Sequence, residues 1–530
     1  MKSRNRIPIA ILLVVACFAL PPGARAVSPP PDGCYPNYTT AEGCNALALL
    51  TTGAGNTAVG WYSLFSVDTN SFNTGVGAGA LALNNADSNT AVGATAMLLN
   101  TSGFENVAIG TDALLNNVNG SYNNAVGAFA LLNNIDGSFN NALGNQALAQ
   151  NVHASNNTAI GDLALANNDV TTDNVAYFNT AVGAQALFSN TDGNSNTGVG
   201  WQALYNNIDG SFNTAFGNQA LFENIYAGNN TAIGYLALAN NDVTGNNLAY
   251  YNTAVGAQTL LYNNDGNSNT AIGRQALYNN FDGNFNTASG YQALLSNLEG
   301  SRNTAIGFKA LLNSVNGDLN TGIGTNAGTN VVAASHVTCI GDNVAGADVS
   351  NTTWIGNVYG VTPQSGTTAP VVVSDTGQLG TAASSERFKK DIATMDAVSK
   401  AILLLRPVTF HYKSDTKGTP QFGLVAEEVA KVNPALVLPD HEGKPYTVRY
   451  DAVNAMLLNE FLKAHQKLEE QGATIAKQQK QIEALTAGLQ KVSAQLAAAS
   501  PSLGGLELSK CATGRIRSGG PAAQTVNNNQ

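Results

Sequence analysis

The chain has 530 residues, of which only 11% are charged, and it contains 54 glycines. This length exceeds what one ordinary core buries, and the composition favours a stacked repeat architecture over a compact enzyme. The formal net charge is −10, and no dense run of Lys and Arg interrupts the first 350 residues. We therefore expect no nucleic-acid partner, because an acidic surface repels a phosphate backbone.

The N-terminus carries the pattern of a targeting signal. Three basic residues precede an apolar stretch at 7–20, and an Ala-Arg-Ala cleavage pattern follows at 24–26. This predicts a secretory signal peptide over 1–26, cut after Ala26, and hence a secreted or cell-surface protein. An alternative is a lipoprotein signal with lipidation at Cys17. No later segment is long and apolar enough to cross a bilayer as a helix, so we expect no transmembrane helix in the mature chain.

Residues 27–52 form a predicted N-terminal cap that contains two cysteines. Cys34 and Cys44 bracket a turn-rich segment, which in an oxidising compartment predicts a local disulfide between them. The five histidines are scattered along the chain without neighbouring ligand residues. We therefore expect no metal site and no cofactor.

The strongest signal is a repeat over residues 53–345, the predicted shaft. A phrase of the type NTAVG recurs from residue 56 onward, and its closing glycines are 17 residues apart nearly every time, with 16 once and 22 twice. Such regularity is typical of stacked repeat architectures. The closing glycines are Gly60, Gly77, Gly93, Gly110, Gly127, Gly144, Gly161, Gly183, Gly200, Gly217, Gly234, Gly256, Gly273, Gly290, Gly307 and Gly324.

Each unit also carries an Ala-Leu pair after the glycine and then an Asn-rich turn, so that two short apolar pieces alternate with two turns. One unit cannot offset its own ordering entropy, and stability must come from stacking. This predicts a mostly β protein with a parallel β-solenoid or β-roll of 17-residue repeats. The recurring Asn falls at the same place in every coil, where side-chain amides can form a ladder. The glycines permit a tight corner.

Two longer coils hold related insertions at 166–179 and 239–252. Their aromatic residues are either exposed contacts for a carbohydrate or a cell surface, or side chains that pack against neighbouring coils. These residues are Tyr177, Phe178, Tyr250 and Tyr251.

The repeats resemble the head repeats of trimeric autotransporter adhesins, in which a related Asn-x-Ala-x-Gly phrase builds a left-handed parallel β-roll from three chains. The resemblance covers residues 53–345 and implies a homotrimer. The unit here is longer than the usual family unit.

A linker over 346–383 is rich in Thr, Ser, Gly and Pro, and Lys and Glu become common after it. Residues 384–456 then read as a separate small α+β domain. Four blocks at 384–392, 403–413, 422–437 and 446–468 resemble, in order, the intramolecular chaperone domain of endosialidases and phage tail spikes. That domain is serine peptidase family seventy-four, so the resemblance implies a chaperone that promotes trimeric folding and then cuts itself off.

The family's self-cleaving dyad is a serine followed five residues later by a lysine, and Ser384 and Lys389 match it. A lysine can take the serine proton if burial or nearby positive charge leaves its amine neutral. The predicted cut lies between Ala383 and Ser384, as a single-turnover serine endopeptidase step. The family's usual Asp after the nucleophile is Ser385 here, which offers a rival hydroxyl. The alternative is a degenerate dyad on a surface loop, with chaperoning retained.

Residues 457–498 carry heptads, which predict a trimeric coiled coil. An amphipathic helix folded back on the domain is the alternative, and residues 499–530 are expected to be disordered. The two core positions are occupied by Phe461, Leu468, Ile475, Ile482, Leu489 and Leu496, and by Ala464, Gln471, Gln478, Leu485 and Val492.

Three function classes follow. The leading one is a secreted or surface trimeric fibre, adhesin-like, with a self-removing C-terminal chaperone. The second is a non-cleaving surface adhesin that retains the domain as a stalk. The third is a polysaccharide-binding or polysaccharide-degrading protein of the tail-spike kind, for which the shaft offers no convincing carboxylate pair.

Overall fold

The computed structural model describes residues 36–171, 173–364, 366–440 and 442–499. The predicted signal peptide, Cys17, Cys34 and the C-terminal tail from 501 lie outside the described residues. The chain divides into two compact units, which meet in the sequence at Gln364 and Ser365. The unit that precedes this boundary contains the repeats.

The repeat unit is a parallel β-solenoid, as the sequence predicted. Each coil contributes one short strand to a 19-stranded parallel sheet, here called the main sheet. Its strands are Thr40–Glu42, Thr57–Val59, Thr74–Val76, Thr90–Val92, Val107–Ile109, Asn124–Val126, Asn141–Leu143, Thr158–Ile160, Thr180–Val182, Thr197–Val199, Thr214–Phe216, Thr231–Ile233, Thr253–Val255, Thr270–Ile272, Thr287–Ser289, Thr304–Ile306, Thr321–Ile323, Thr338–Ile340 and Thr353–Ile355.

Strand register is the same from coil to coil. Thr180 pairs with Thr197 across the usual repeat, and Thr158 pairs with Thr180 across the longer one. The insertion is therefore looped out without disturbing the sheet. The sheet begins with Thr40–Glu42 and continues to Thr353–Ile355, so coils extend on both sides of the 53–345 repeat.

The interior of the solenoid is a stack of small and branched apolar residues. The middle residue of most main-sheet strands is a fully buried alanine, such as Ala125 and Ala215. The Ala-Leu pair is also buried in nearly every coil, for example at Ala130 and Leu131. Close packing of these side chains across coils supplies the apolar burial that a single coil lacks.

Only one of the two apolar pieces in most coils is a strand. In the Ala-Leu segment alternate residues have positive φ, as at Gln146 (56°) and Leu148 (53°), and the backbone there is not extended. Its N–H groups still bond to the next coil, since the Leu131 N–H donates to the Ala147 carbonyl at 2.9 Å. The exception is a small parallel sheet of Glu223–Asn224, Asn240–Asn241 and Tyr262–Asn263.

The closing glycine of each phrase is required by both conformation and space. Gly127 has φ 138°, and a Cβ built on it would lie 2.3 Å from the carbonyl oxygen of Gly144 in the next coil. Only glycine tolerates this backbone and this approach without displacement.

The recurring Asn of the phrase forms the predicted ladder, here called the strand-start ladder. Each side-chain oxygen accepts the backbone N–H of the Asn one coil later, as from Asn123 to Asn106 at 2.9 Å. Most of the side-chain amides donate to a turn carbonyl of the next coil, as from Asn106 to Gly120 at 2.9 Å. The ladder runs from Asn56 to Asn320 and every member is buried.

A second ladder, here called the turn ladder, joins the buried Asn residues of the other turn. Each Nδ2 donates both to the Oδ1 of the preceding coil and to a carbonyl of its own turn. Asn117 thus bonds to Asn100 Oδ1 at 2.7 Å and to Gly120 O at 2.8 Å. The ladder runs unbroken from Asn84 to Asn297, and sequence analysis did not separate it from ordinary turn asparagines.

The second unit is a small α+β domain followed by a long helix. Its strands form three antiparallel pairs: Val372–Val373 with Leu379–Gly380, Val408–Phe410 with Gln421–Gly423, and Val437–Pro439 with Pro445–Val448. Its 3-10 helices are Glu386–Phe388, Val398–Leu404 and Pro434–Leu436. Its α-helices are α1 (Ala426–Val432) and α2 (Tyr450–Ala498).

The core of this unit is small and joins α1 to the first turns of α2. Val429, Leu436, Val448 and Met456 are each at most 7% exposed and pack together. The Tyr450 hydroxyl accepts the Leu424 N–H at 3.0 Å, which ties the start of α2 to the strand pair. Among the described residues, no helix has the length and apolar character needed to cross a membrane.

Candidate functional site

The predicted dyad is brought together in the structure. Lys389 Nζ donates a hydrogen bond to Ser384 Oγ at 3.1 Å. This distance allows direct proton transfer between the two groups. In the observed arrangement the ammonium donates to the hydroxyl, and the lysine acts as a base only after it has lost that proton. Its catalytic role and the cleavage between Ala383 and Ser384 stay predictions.

A single 3-10 turn sets the spacing between the two side chains. Glu386–Phe388 forms the turn, with Ser385 as the residue before it. The Phe388 N–H bonds to the Ser385 carbonyl at 3.0 Å and the Lys389 N–H to the Glu386 carbonyl at 2.9 Å. This tight turn returns the chain, so residues five apart in sequence can meet.

The surroundings of the dyad in one chain are open. Ser384 and Lys389 are both exposed, as are the residues between them. The Arg387 guanidinium lies over the Phe388 ring, 4.6 Å from its centroid, and brings a positive charge into the same turn. The burial that would favour a neutral lysine is therefore not provided by the described part of one chain.

A buried polar cluster lies elsewhere in the second unit, and sequence analysis missed it. Ser399 is fully buried, and its hydroxyl bonds to Glu460 Oε1 at 2.5 Å and accepts from Asn459 Nδ2 at 2.7 Å. Lys463 Nζ donates to the same hydroxyl at 3.1 Å and to Glu460 at 2.6 Å. The hydrogen bonds from Lys463 and Ser399 lower the pKa of the Glu460 carboxyl. The cluster fastens the 3-10 helix Val398–Leu404 to α2.

A second polar link holds α1. Arg406 forms a bidentate ion pair with Glu428, in which Nε donates at 3.1 Å and Nη2 donates at 2.5 Å. The hydrogen bonds from Arg406 hold the pKa of the Glu428 carboxyl below its ordinary value. Both residues belong to the sequence blocks that carry the chaperone resemblance, and the structure gives them a positioning role for the domain.

The outward face of the main sheet carries an apolar line, here called the aliphatic stripe. It consists of the third residue of each strand from Val59 to Ile355, and it is apolar at every strand except at Ser289. These side chains are partly exposed, with Ile109 at 41% and Ile233 at 43%. Exposed apolar surface that continues from strand to strand is a general feature of interaction faces.

The two insertions are each held by one aspartate that the sequence did not single out. Asp242 is buried, and its carboxylate accepts the N–H groups of Tyr226, Ala227 and Asn247 at 2.8, 3.0 and 2.9 Å. Burial nevertheless raises the pKa of Asp242. Asp169 holds the first insertion in the same way.

The aromatic residues of the insertions remain largely accessible. Phe178 is 57% and Tyr251 is 59% exposed, and Tyr177 is 37% exposed. Each insertion orients its pair edge to face, with centroid distances of 5.3 Å for Tyr177 and Phe178 and 5.1 Å for Tyr250 and Tyr251. Three of the four rings are therefore available for contact with other molecules, whereas Tyr250 is partly covered.

The cysteines and potential metal ligands in the described ranges add no second site. Cys44 is exposed, while its predicted partner Cys34 lies outside the described residues, so the disulfide stays a prediction. Cys339 is buried in the solenoid core. Across the described ranges, no group of three or more potential ligand residues gathers in the manner of a metal site.

Residues 384–438 match the model of the family described as chaperone of endosialidase. The matched segment begins at Ser384 and includes the dyad, the Arg406–Glu428 link and all of α1. The recognition of a C-terminal chaperone segment behind a repeat shaft is thus confirmed. No curated protein and no solved structure gives a significant match to the chain.

Proposed function

We propose that this protein is a secreted or surface trimeric fibre, adhesin-like, whose C-terminal domain guides assembly of the shaft and then separates from it. The observation that carries the proposal is a chaperone-of-endosialidase segment encoded directly after a solenoid of near-identical coils. Its shaft would present a surface to a carbohydrate or another cell-surface ligand.

The need for a guide follows from the strand register. Threonine pairs with threonine and alanine with alanine at most rungs, as in Thr253 with Thr270 and Ala254 with Ala271. Because the coils are near-identical, pairing of a coil with the wrong neighbour during folding would preserve most of these matches, so the sequence specifies the alignment of coils weakly. A separate domain that associates first would set the alignment from one end.

Two features support association of several copies. The aliphatic stripe is uncovered in one chain, and the heptad residues of α2 are also exposed, with Phe461 at 64%, Leu468 at 65% and Ile475 at 63%. An amphipathic helix folded back on its own domain would cover these side chains. A coiled coil of three copies would bury them instead. If the associated copies surrounded the dyad, they would also exclude water from Lys389, which favours the neutral amine.

The proposed cleavage needs only the chain and one water molecule. Neutral Lys389 accepts the proton of the Ser384 hydroxyl, and the oxygen attacks the Ala383 carbonyl carbon. The peptide C–N bond breaks as the proton reaches the leaving nitrogen, which leaves Ala383 as an ester on the serine. Water hydrolyses this ester, so the shaft ends at Ala383 and the released domain begins with Ser384.

The test is expression of the full chain beside Ser384→Ala, Lys389→Ala and the matched control Ser385→Ala, followed by intact-mass analysis. We expect an N-terminal product that ends at Ala383 in the parent and in the control, and full-length protein in the two dyad variants. Equal fragmentation of all four chains would exclude the dyad. Loss of the cut in Ser385→Ala alone would assign the reaction to the rival hydroxyl.

The second candidate is a non-cleaving adhesin that keeps its C-terminal domain as a stalk. It is favoured by the exposure of Ser384 and Lys389 in one chain and by Ser385 in place of the family's aspartate. Full-length parent on a denaturing gel, together with trimeric mass in native conditions, would select this function.

A further inference from the structure

A row of exposed aromatic side chains occupies one corner of the solenoid, here called the aromatic row. Phe178, Phe212, Tyr251 and Phe285 each lie two residues before a main-sheet strand begins. Their exposed fractions are 57, 60, 59 and 56%. Only two of the four belong to the insertions, so the row is a property of the shaft itself.

From Phe178 to Phe285 the row repeats on every second coil, whereas nearer the N-terminus the same position carries Phe72, Tyr122 and Phe139 without that alternation. The intervening coils carry Ser195, Asn229 and Ser268 at the same position, and strand pairing is continuous from Thr180 to Thr287. Adjacent parallel strands lie about 4.8 Å apart, so the rings recur at about 9.6 Å along the sheet. Four rings with polar side chains between them therefore form a regular linear track.

Stability of the shaft does not account for these rings. They occupy left-handed backbone, with φ 61° at Phe212 and 57° at Phe285, and Ser195 and Asn229 adopt the same conformation with φ 56° and 60°. Left-handed backbone costs a bulky residue about 1–2 kcal/mol, whereas Asn tolerates it better. More than half of each ring remains in water, so little apolar burial offsets that cost.

The chemistry beside the row is polar and acidic. Within the described part of the chain, the side chains of Ser195, Asn229 and Ser268 make no hydrogen bond to another protein group. Carboxylates lie three residues before row positions, at Asp209 before Phe212 and at Asp282 before Phe285. A negative surface disfavours an anionic polymer, while free hydroxyl, amide and carboxylate groups can bond to sugar hydroxyls.

We propose that the aromatic row binds a neutral, extended, β-linked glycan along the shaft. Each pyranose of such a chain advances by roughly one coil spacing. Alternate sugars would therefore stack their C–H faces on a ring, and the sugars between them would bond to Ser195, Asn229 and Ser268. This inference rests on the adhesive role proposed above and names the ligand class, but it does not require self-cleavage.

The test measures how much of the full-chain protein is removed from solution by microcrystalline cellulose and by chitin. It also measures the affinity of the protein for the soluble hexasaccharides of both polymers. The row variant combines Phe178→Ser, Phe212→Ser, Tyr251→Ser and Phe285→Ser, since serine already occupies this position in two of the three intervening coils. The matched control carries Trp201→Asn and Tyr235→Asn, exposed aromatics at another coil position where the coil between them has asparagine.

We expect the parent to bind at least one of these glycans, the control to bind equally well, and the row variant to lose at least about tenfold in affinity. No binding by the parent to any of the four probes would overturn the proposal, as would equal loss in the control. If light scattering showed a different oligomeric mass for the row variant, the rings would instead be assigned to contacts between copies, which would also overturn the proposal. Intact mass of the same samples separates these outcomes from failure of self-cleavage.

Discussion

The turn ladder predicts that one fully buried asparagine amide contributes far more to stability than a partly buried neighbour of the same type. Asn134 donates to Asn117 Oδ1 at 2.7 Å and to Gly137 O at 2.8 Å, and its own Oδ1 accepts from Asn151 at 3.1 Å. In Asn134→Ala the buried Asn117 oxygen loses its ladder donor, which costs about 1–3 kcal/mol. Gly137 O keeps a donor in Asn123, so it adds little.

The Asn151 amide loses one of its two bonds but keeps the one to Ala154 O at 2.7 Å, so this part adds only about 0.5–1.5 kcal/mol. The total is about 1.5–4.5 kcal/mol, which corresponds to about 12- to 1,600-fold more frequent opening of the adjacent coils. The assay is hydrogen–deuterium exchange of peptides that cover Leu131 and Leu148, whose N–H groups bond to the next coil.

The matched control is Asn133→Ala, one residue earlier. Asn133 also bonds to its neighbours above and below, at 2.7 Å from Asn116 and at 3.0 Å to Gln150, but it is only partly buried. Water can replace those bonds, so we expect a change below about 0.5 kcal/mol. Equal exchange in the two variants would refute the argument that burial gives the ladder its strength.

Three further predictions concern other elements. Gly127→Ala should accelerate amide hydrogen exchange in the coils on both sides, because the added Cβ would lie 2.3 Å from the Gly144 carbonyl oxygen. The control Gly366→Ala, with open space around it, should leave amide hydrogen exchange in those coils unchanged. Ser399→Ala removes the shared hydroxyl of a buried cluster and should destabilise the second unit by about 1–3 kcal/mol. Urea unfolding followed by the circular dichroism signal of the helices measures this, and an unchanged urea midpoint would contradict it. Because Arg406 lowers the pKa of Glu428, the stabilisation from this ion pair is present above the ordinary glutamate pKa and is lost as pH falls through the lowered pKa. Glu428→Gln should therefore lower the urea unfolding midpoint at neutral pH but not in acid. An equal difference in midpoint at both pH values would contradict the link.

The amino-acid sequence alone determined the repeat architecture. A phrase that returns every 17 residues encodes the strand, its buried alanine and the glycine corner within one short stretch, and stacking then follows from the repetition. The strand-start ladder was predictable for the same reason. The chaperone segment was also recognisable, since its four blocks follow one another in order over residues 384–468, and one local turn brings Ser384 and Lys389 together.

Only the tertiary structure decided which parts of each coil face inward and which residues from distant positions meet. Asn117 and Asn133 occupy similar Asn-rich turns in the sequence, yet Asn117 is fully buried and Asn133 is only partly buried. The Ala-Leu segment looks like a strand but alternates its φ sign, because the narrow coil must bend there to close. Ser399 meets Glu460 across 61 residues, a contact that no local pattern encodes. Alignment of Phe178, Phe212, Tyr251 and Phe285 likewise required the register in which the longer coils are looped out, since residue spacing along the chain changes while position in the stack does not.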